Sequence, residues 1–415
     1  MSDLLPFIVA GIAVGSIYGL AASGLVLTYK TSGIFNFGHG ALATAAAYFF
    51  YWLHYQEDIS WEVAFVLAVF VAGPVLGVLM ERIGRRLALR STALKIVGTV
   101  GLIVLVEGLA TVKYGPDTIR VPQYLPKGAH HFRVLGVNVS YAQLTVTLVG
   151  LASVLLLYAL FRWTRMGTSM RAVVDDPDLL AMQATSPVLV RRWSWVIGST
   201  FAAIAGVLVL PFIGLNAIAL TFLVVQAFGA AAIGAFDNIT LAYVGALLIG
   251  IAANLSQKYI INVSWLAGLP GSLPFIVLFV ALLVLPRRKL VPRSSIEQRP
   301  PLQWRAPVPV RVVTGAVVLL VLALVPQFVG HHLGYFTIGL TQVIMLLSLG
   351  LLVKTSGQVS LCHATFAAIG AVAFSQFAAQ HGVPWFVALV LASLVAVPVG
   401  AVVAIPAIRL SGLFL

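Results

Sequence analysis

Between Pro6 and Tyr29 the chain reads PFIVAGIAVGSIYGLAASGLVLTY, without one charged side chain. A helix of about 20 such residues crosses the roughly 30 Å of bilayer hydrocarbon. Within lipid every backbone N–H and C=O must be paired inside the protein, which leaves only helices and closed barrels. Barrel strands alternate apolar and polar residues over about ten positions, and this stretch does not. Further apolar spans follow at roughly 38–53, 62–80, 96–112, 141–161, 193–213, 217–236, 240–257, 273–286, 312–329, 337–353, 362–380 and 385–405. The expected fold is an all-α polytopic membrane protein with about thirteen transmembrane helices. The first span follows Asp3 with no basic residue ahead of it, so it is expected to be retained rather than cleaved as a signal.

Only 9% of the residues are charged, and Lys and Arg outnumber Asp and Glu by 25 to 12. Placement decides what this excess means. With the N-terminus outside, 20 of the 25 basic residues fall on one side: Lys30, the segments 82–95, 162–192 and 287–311, Lys354 and Arg409. The other side holds Lys113, Arg120, Lys127, Arg133 and Lys258. This is the asymmetry of a multi-pass protein with its basic loops in the cytoplasm. It points to a lipid bilayer, the inner (plasma) membrane, and to no nucleic-acid partner. One cysteine, Cys362, permits no internal disulfide. No cofactor or metal is expected, since no Cys/His spacing suits a metal ion.

A polar cluster recurs. Lys30-Thr31-Ser32-Gly33 reappears 324 residues later as Lys354-Thr355-Ser356-Gly357, and His39 reappears as His363. The segment LPRRKLVPRSSIEQRPPLQWRAPVPVR, 285–311, is basic, rich in proline and free of long apolar runs, as a cytoplasmic linker should be. The span 312–329 recrosses the membrane, so Lys30 and Lys354 fall on the same face. The repeat is thus parallel rather than inverted. The expected organisation is one unit over 1–286, a linker over 287–311 and a second, incomplete unit over 312–415.

Several residues invite a functional role beside a structural one. Gly11, Gly15 and Gly19 share one helix face, as close helix packing requires. In KTSGIFNFGHG, Asn36 and His39 are expected to point into the protein or a translocation path, with His363 as their counterpart. The alternative is that Lys30 anchors the helix at the inner surface, Thr31 and Ser32 cap the next helix, and Asn36 and His39 tie helices together. Glu107 reads as the one acidic residue well inside a span, a second candidate for the path or a packed polar group. Gln226, Asn254 and Gln342 are weaker cases.

The longest polar stretch between spans of the first unit, 162–193, lies on the basic side. Asp176 followed by Pro177 signals a helix start, and Leu179, Leu180 and Met182 give that short helix an apolar face for a partner. No GxxxxGK[ST] phosphate loop occurs. ATP hydrolysis, if it drives transport, belongs to another polypeptide, and the chain itself is not expected to be an enzyme.

GSIYGLAASGLVLTYKTSGIFNFGHGALATAAAY resembles the start of the H-type permease of branched-chain amino acid ABC importers. MGTSMRAVVDDPDLLAMQA is similar to that family's cytoplasmic segment, and LLVKTSGQVSLCHATFAAIGA resembles the matching stretch of the M-type permease, with Cys362 where glycine is usual. The resemblance implies two cytoplasmic ATPase subunits, an extracytoplasmic binding protein and, as a further partner, a second permease chain. It makes Arg171, Asp176, Pro177, Leu179, Leu180 and Met182 the ATPase-coupling element. Relatives of this kind also move urea, short amides or simple sugars, so those substrates stay open, as does the separate class of secondary transporter or channel. One departure stands out: where the family has Gly-Ile after the docking helix, this chain has Ala184-Thr185. The second unit's own docking segment is expected near position 486, beyond Leu415.

Overall fold

The computed structural model describes residues 4–409 apart from 34, 89–91, 126–129, 135, 261–262, 285–305, 329, 331–332, 357–359 and 361. Most of the expected linker 287–311 lies outside the described residues. The chain divides into two compact units, Met1–Leu290 and Val291–Leu415.

The first unit is built from α1 (Leu5–Ser32), α2 (His39–Tyr51), α3 (Trp61–Val66), α4 (Gly73–Ala88), α5 (Thr92–Tyr114), α6 (Tyr141–Trp163), α7 (Arg165–Asp175), α8 (Pro177–Met182), α9 (Pro187–Ile213), α10 (Ala217–Thr221), α11 (Leu223–Ile233), α12 (Ile239–Ile260) and α13 (Leu269–Val284). A hairpin, β1 (His131–Val134) and β2 (Val137–Ser140), precedes α6. The second unit contains α14 (Val308–Phe328), α15 (Leu333–Ser356), α16 (His363–Ser375) and α17 (Trp385–Arg409).

Among the described residues nine helices are long and apolar enough to cross a membrane. The other four sequence spans form shorter helices. Two of them run into a π turn, over Trp52–Gln56 and Gln376–Gln380. The largely apolar span 217–236 is broken at Phe222, the shared boundary of α10 and α11. The chain is thus an all-α, multi-pass membrane protein whose helices are less uniform than hydropathy alone implies.

The core of the first unit lies around α1, and small residues set how near its neighbours come. A side-chain carbon on Gly15 would stand 2.8 Å from the Ala246 carbonyl oxygen and the Leu247 Cα, and Gly19 lies under the Tyr243 ring. Gly11, Gly15 and Gly19 therefore seat α1 on α12. α9 packs on both α1 and α4. Its contact with α4 is in regular antiparallel register: Gly73 faces Thr200, Gly77 faces Val196, and Glu81 faces Arg192. Each step is four residues on both helices, so one face of α4 meets one face of α9 along its length.

At the end of the first unit opposite Lys30, the loop after α5 folds back as a cap. Ile119 and Leu215 exchange backbone hydrogen bonds of 3.0 and 2.9 Å, Tyr124 donates its hydroxyl to the Val207 carbonyl, and Tyr55 donates to the Pro122 carbonyl at 2.9 Å.

The repeat extends into local structure. α2 and α16 are each 13 residues long and each passes into a five-residue π turn. A left-handed residue follows in each unit, Asp58 at φ 52° and Gly382 at φ 65°, before a helix restarts at a tryptophan, Trp61 or Trp385. Thr31 and Thr355 each turn their hydroxyl back onto the helix, to Leu27 at 2.9 Å and Leu351 at 2.8 Å. These positions are all 324 residues apart, the spacing of the two lysines.

Candidate functional site

Three polar places stand out inside the first unit. The first is the start of α2. Gly33 ends α1 in the left-handed conformation, φ 66°, where its N–H closes onto the Tyr29 carbonyl. The chain then turns back along α1, because His39 lies beside Gly24, eight residues before the end of α1. A side-chain carbon on Gly24 would stand 3.1 Å from His39 Cε1 and 2.7 Å from the Gly198 carbonyl oxygen. The start of α2 is therefore buried in protein, with Asn36 and His39 each 1% exposed. Thr31 and Ser32 do not cap it, as one reading of the sequence had them do. Thr31 donates to the Leu27 carbonyl at 2.9 Å and Ser32 to the Thr28 carbonyl at 2.6 Å, both within α1. The N-cap of α2 is Gly38, which has no side chain to offer. Lys30 reaches Asp237, with Nζ 2.7 Å from Oδ1 and 3.2 Å from the backbone oxygen.

The second place lies along α5. Glu107 is half-buried beside the Thr221 hydroxyl, at the break between α10 and α11. Thr221 Oγ1 is 3.1 Å from Thr44 Oγ1 on α2. Glu107 thus belongs to a polar line that runs from the α10–α11 break to the second turn of α2.

The third place was not read from the sequence. Glu81 on α4 is 3% exposed, with one carboxylate oxygen 3.4 Å from Arg85 Nε and the other 3.5 Å from Arg192 Nε. It sits one residue past the span drawn at 62–80, where it looks like part of the basic loop. The spacing Gly73, Gly77, Glu81 was the available signal, because it puts the carboxylate on the face that packs against α9.

The segment between α6 and α9 forms two helices. Thr164 caps α7 by accepting from the Gly167 N–H at 3.0 Å. Asp176 Oδ1 caps α8 by accepting from the N–H groups of Asp178 and Leu179 at 3.0 and 2.9 Å, and Pro177 occupies the first helical position. Leu179 and Met182 are 55% and 84% exposed, and Arg171 is exposed. Leu180 does not join them: at 6% exposure it packs inward and holds α8 on the protein. Of the apolar face expected from the sequence, Leu179 and Met182 are thus exposed and Leu180 is not. Ala184, one of the two departures from the family pattern, takes φ 56°, the left-handed conformation that glycine adopts without strain.

In the second unit His363 begins α16, and its Nε2 lies 2.9 Å from Ser348 Oγ on α15. Asn36 and His39 lie together, Glu107 joins Thr44 and Thr221, and the α7–α8 residues form a separate exposed element. No group of three or more metal-ligating side chains occurs among the described residues.

A sequence-family profile described as "Branched-chain amino acid transport system / permease component" matches residues 7–285. The high-affinity branched-chain amino acid transport system permease protein LivH of Salmonella typhimurium is 26% identical over 265 residues, covering 60% of this chain and 85% of that protein. BraD of Pseudomonas aeruginosa, of the same description, is 26% identical over 257 residues, covering 59% and 83%. A probable branched-chain amino acid transport permease protein LivH of Methanocaldococcus jannaschii is 24% identical over 252 residues, covering 58% and 77%. No solved structure matches the chain. With two thirds of its length matched, the chain belongs to the branched-chain amino acid transport system permease component family, whose members are membrane transport components and not enzymes.

Proposed function

We propose that this chain is the permease of an ATP-binding cassette importer for branched-chain amino acids, set in the inner (plasma) membrane. In this reading two cytoplasmic ATPases drive it and an extracytoplasmic binding protein delivers the substrate. Residues 1–286 act as an H-type permease unit, 287–311 as a cytoplasmic linker, and 312–415 as M-type permease sequence. The repeat of α1–α3 in α15–α17 supports the two-unit assignment, and the printed names of the relatives support the substrate.

One observation carries the coupling role. α8 is capped by Asp176 and Pro177, anchored by buried Leu180, and left with bare Leu179 and Met182 at the basic end of the unit. A helix with one buried apolar residue and two exposed ones is a wedge set to enter another protein's groove. Burying a side chain of this size contributes about 1.5–3 kcal/mol, whereas an exposed Arg171 ion pair adds about 0–1 kcal/mol. Asn36, His39, Glu107 and His363 are assigned to the translocation path.

The test is Met182→Asp in the purified complex. Membrane insertion is expected to persist, because Met182 is 84% exposed, while ATPase co-purification and leucine uptake fall together. A Met182→Asp protein that recruits its ATPases and transports at the normal rate refutes this role for α8.

A further inference from the structure

We propose that the buried N-terminus of α2, with Asn36 and His39, binds the carboxylate group of the transported amino acid. The inference rests on the importer reading above and goes beyond it by naming the subsite.

The first N–H groups of a helix have no partner within the helix and carry the positive end of its dipole, which favours an anion. In α2 this end is buried in the protein, and its N-cap residue is a glycine. Asn36 Oδ1 approaches Gly38, since a side-chain carbon there would stand 3.2 Å from it, and His39 is the first residue of the helix. Neither amide atom of Asn36 and neither ring nitrogen of His39 has a hydrogen-bond partner among the described residues, although all four atoms are buried. The Ala21 carbonyl lies near the His39 ring but outside hydrogen-bond geometry. Buried polar side chains are ordinarily paired, so two unpaired ones at one helix start mark a place that another molecule completes.

In the second unit the corresponding histidine has its Nε2 paired, while its Nδ1 has no partner among the described residues. There the His363 ring bonds Ser348, and the position corresponding to Ser348 in the first unit is Gly24. Gly24 lies against the His39 ring and supplies no hydroxyl.

The chemistry of these groups selects the ligand. The His39 N–H is already given to the Asn36 carbonyl at 3.2 Å, which leaves the following backbone N–H groups, the Asn36 amide and an imidazole N–H as donors, and together they suit a carboxylate. Thr44 and Thr221, with Glu107 beside them, lie about 7.5 Å further along α2, five residues at 1.5 Å each. They supply acceptors on the side toward which the α-ammonium group, carried on the carbon next to the carboxylate, can point. The apolar neighbours Leu102 and Phe201 suit a hydrocarbon side chain. In this conformation the subsite is closed, because α1 and α9 meet at Gly24 and Gly198 with no room for a side chain. Substrate entry requires those two helices to part.

The experiment is L-leucine uptake by proteoliposomes holding the full chain with its ATPases and binding protein, with thermal stability measured in parallel. Asn36→Leu replaces an unpaired polar group by an apolar one of similar size, so stability is expected to hold or rise while uptake falls at least about tenfold. Asn36→Asp places a negative charge against the carboxylate and is expected to cut uptake further than Asn36→Leu. Asn36→Ser, the residue found at the matching Ser360, retains a donor and is expected to keep more uptake than either. Normal uptake by Asn36→Leu, a parallel fall of its stability and uptake, or higher uptake by Asn36→Asp than by Asn36→Leu each overturns the subsite. Failure of the unaltered protein to carry leucine overturns the importer reading instead.

Discussion

His363 Nε2 lies 2.9 Å from Ser348 Oγ, and 324 residues earlier His39 faces Gly24, which has no hydroxyl to give. Two copies of one local fold thus place the same ring against the same helix position with opposite outcomes. Gly24 has no freedom to change, since the Gly198 carbonyl stands 2.7 Å from where its side chain would begin. The first unit uses this position for helix packing, and the second uses it to pair one ring nitrogen of a histidine.

The end of α8 carries a cost that one substitution should remove. Ala184 holds φ 56°, a conformation that disfavours any residue with a Cβ by about 1–2 kcal/mol. Ala184→Gly is expected to stabilise the turn by about 1 kcal/mol, since glycine adopts the left-handed region freely. Slower hydrogen exchange of the amides at 183–185 would show it. Unchanged or faster exchange would mean that the turn is not strained at Ala184.

The α4–α9 contact should be intolerant of bulk at one glycine and indifferent at another. A side-chain carbon on Gly77 would stand 2.7 Å from the Trp195 carbonyl oxygen and from the Val196 Cα, whereas Gly101 has nothing within 4 Å. Gly77→Leu is expected to destabilise the protein by about 1–3 kcal/mol through overpacking, and Gly101→Leu by much less. Thermal unfolding of the two purified variants in detergent decides it, and equal melting shifts would contradict the packing described.

At the basic end of the same contact, Glu81 and Arg192 are expected to behave as a coupled pair. Arg192→Leu strips a buried carboxylate of one of its two cations and should cost about 1–3 kcal/mol, less than a fully buried pair because Arg192 is 38% exposed. Adding Glu81→Leu removes the stranded charge, so the double variant should recover most of that loss. A double variant no better than the single would show that the two side chains are not coupled.

Much of the architecture was legible because lipid imposes it. Uncharged runs such as Pro6–Tyr29 have one stable backbone solution, and Asp176-Pro177 announces a helix start by its own chemistry. The four-residue spacing of Gly11, Gly15 and Gly19 likewise predicted a close helix contact, and the helix that makes it is α12. What stayed hidden depends on packing. The break at Phe222 falls in a largely apolar run with no proline or glycine beside it, only Thr221. Glu81 looks like loop charge until α9 is seen against it. Leu180 turns inward because of how α8 sits on the protein, which six residues of amphipathic sequence do not specify. That Asn36 and His39 turn inward was expected, but their place against Gly24 depends on the chain turning back along α1 after Gly33, a change of direction that KTSGIFNFGHG does not itself display.

Uptake of radiolabelled L-leucine into proteoliposomes holding this chain, its two ATPases and its binding protein bears most directly on what the protein does. The importer reading predicts accumulation against a gradient that needs both ATP and the binding protein and is indifferent to proton or sodium gradients. Accumulation driven by an ion gradient through this chain alone, without ATP, would contradict it.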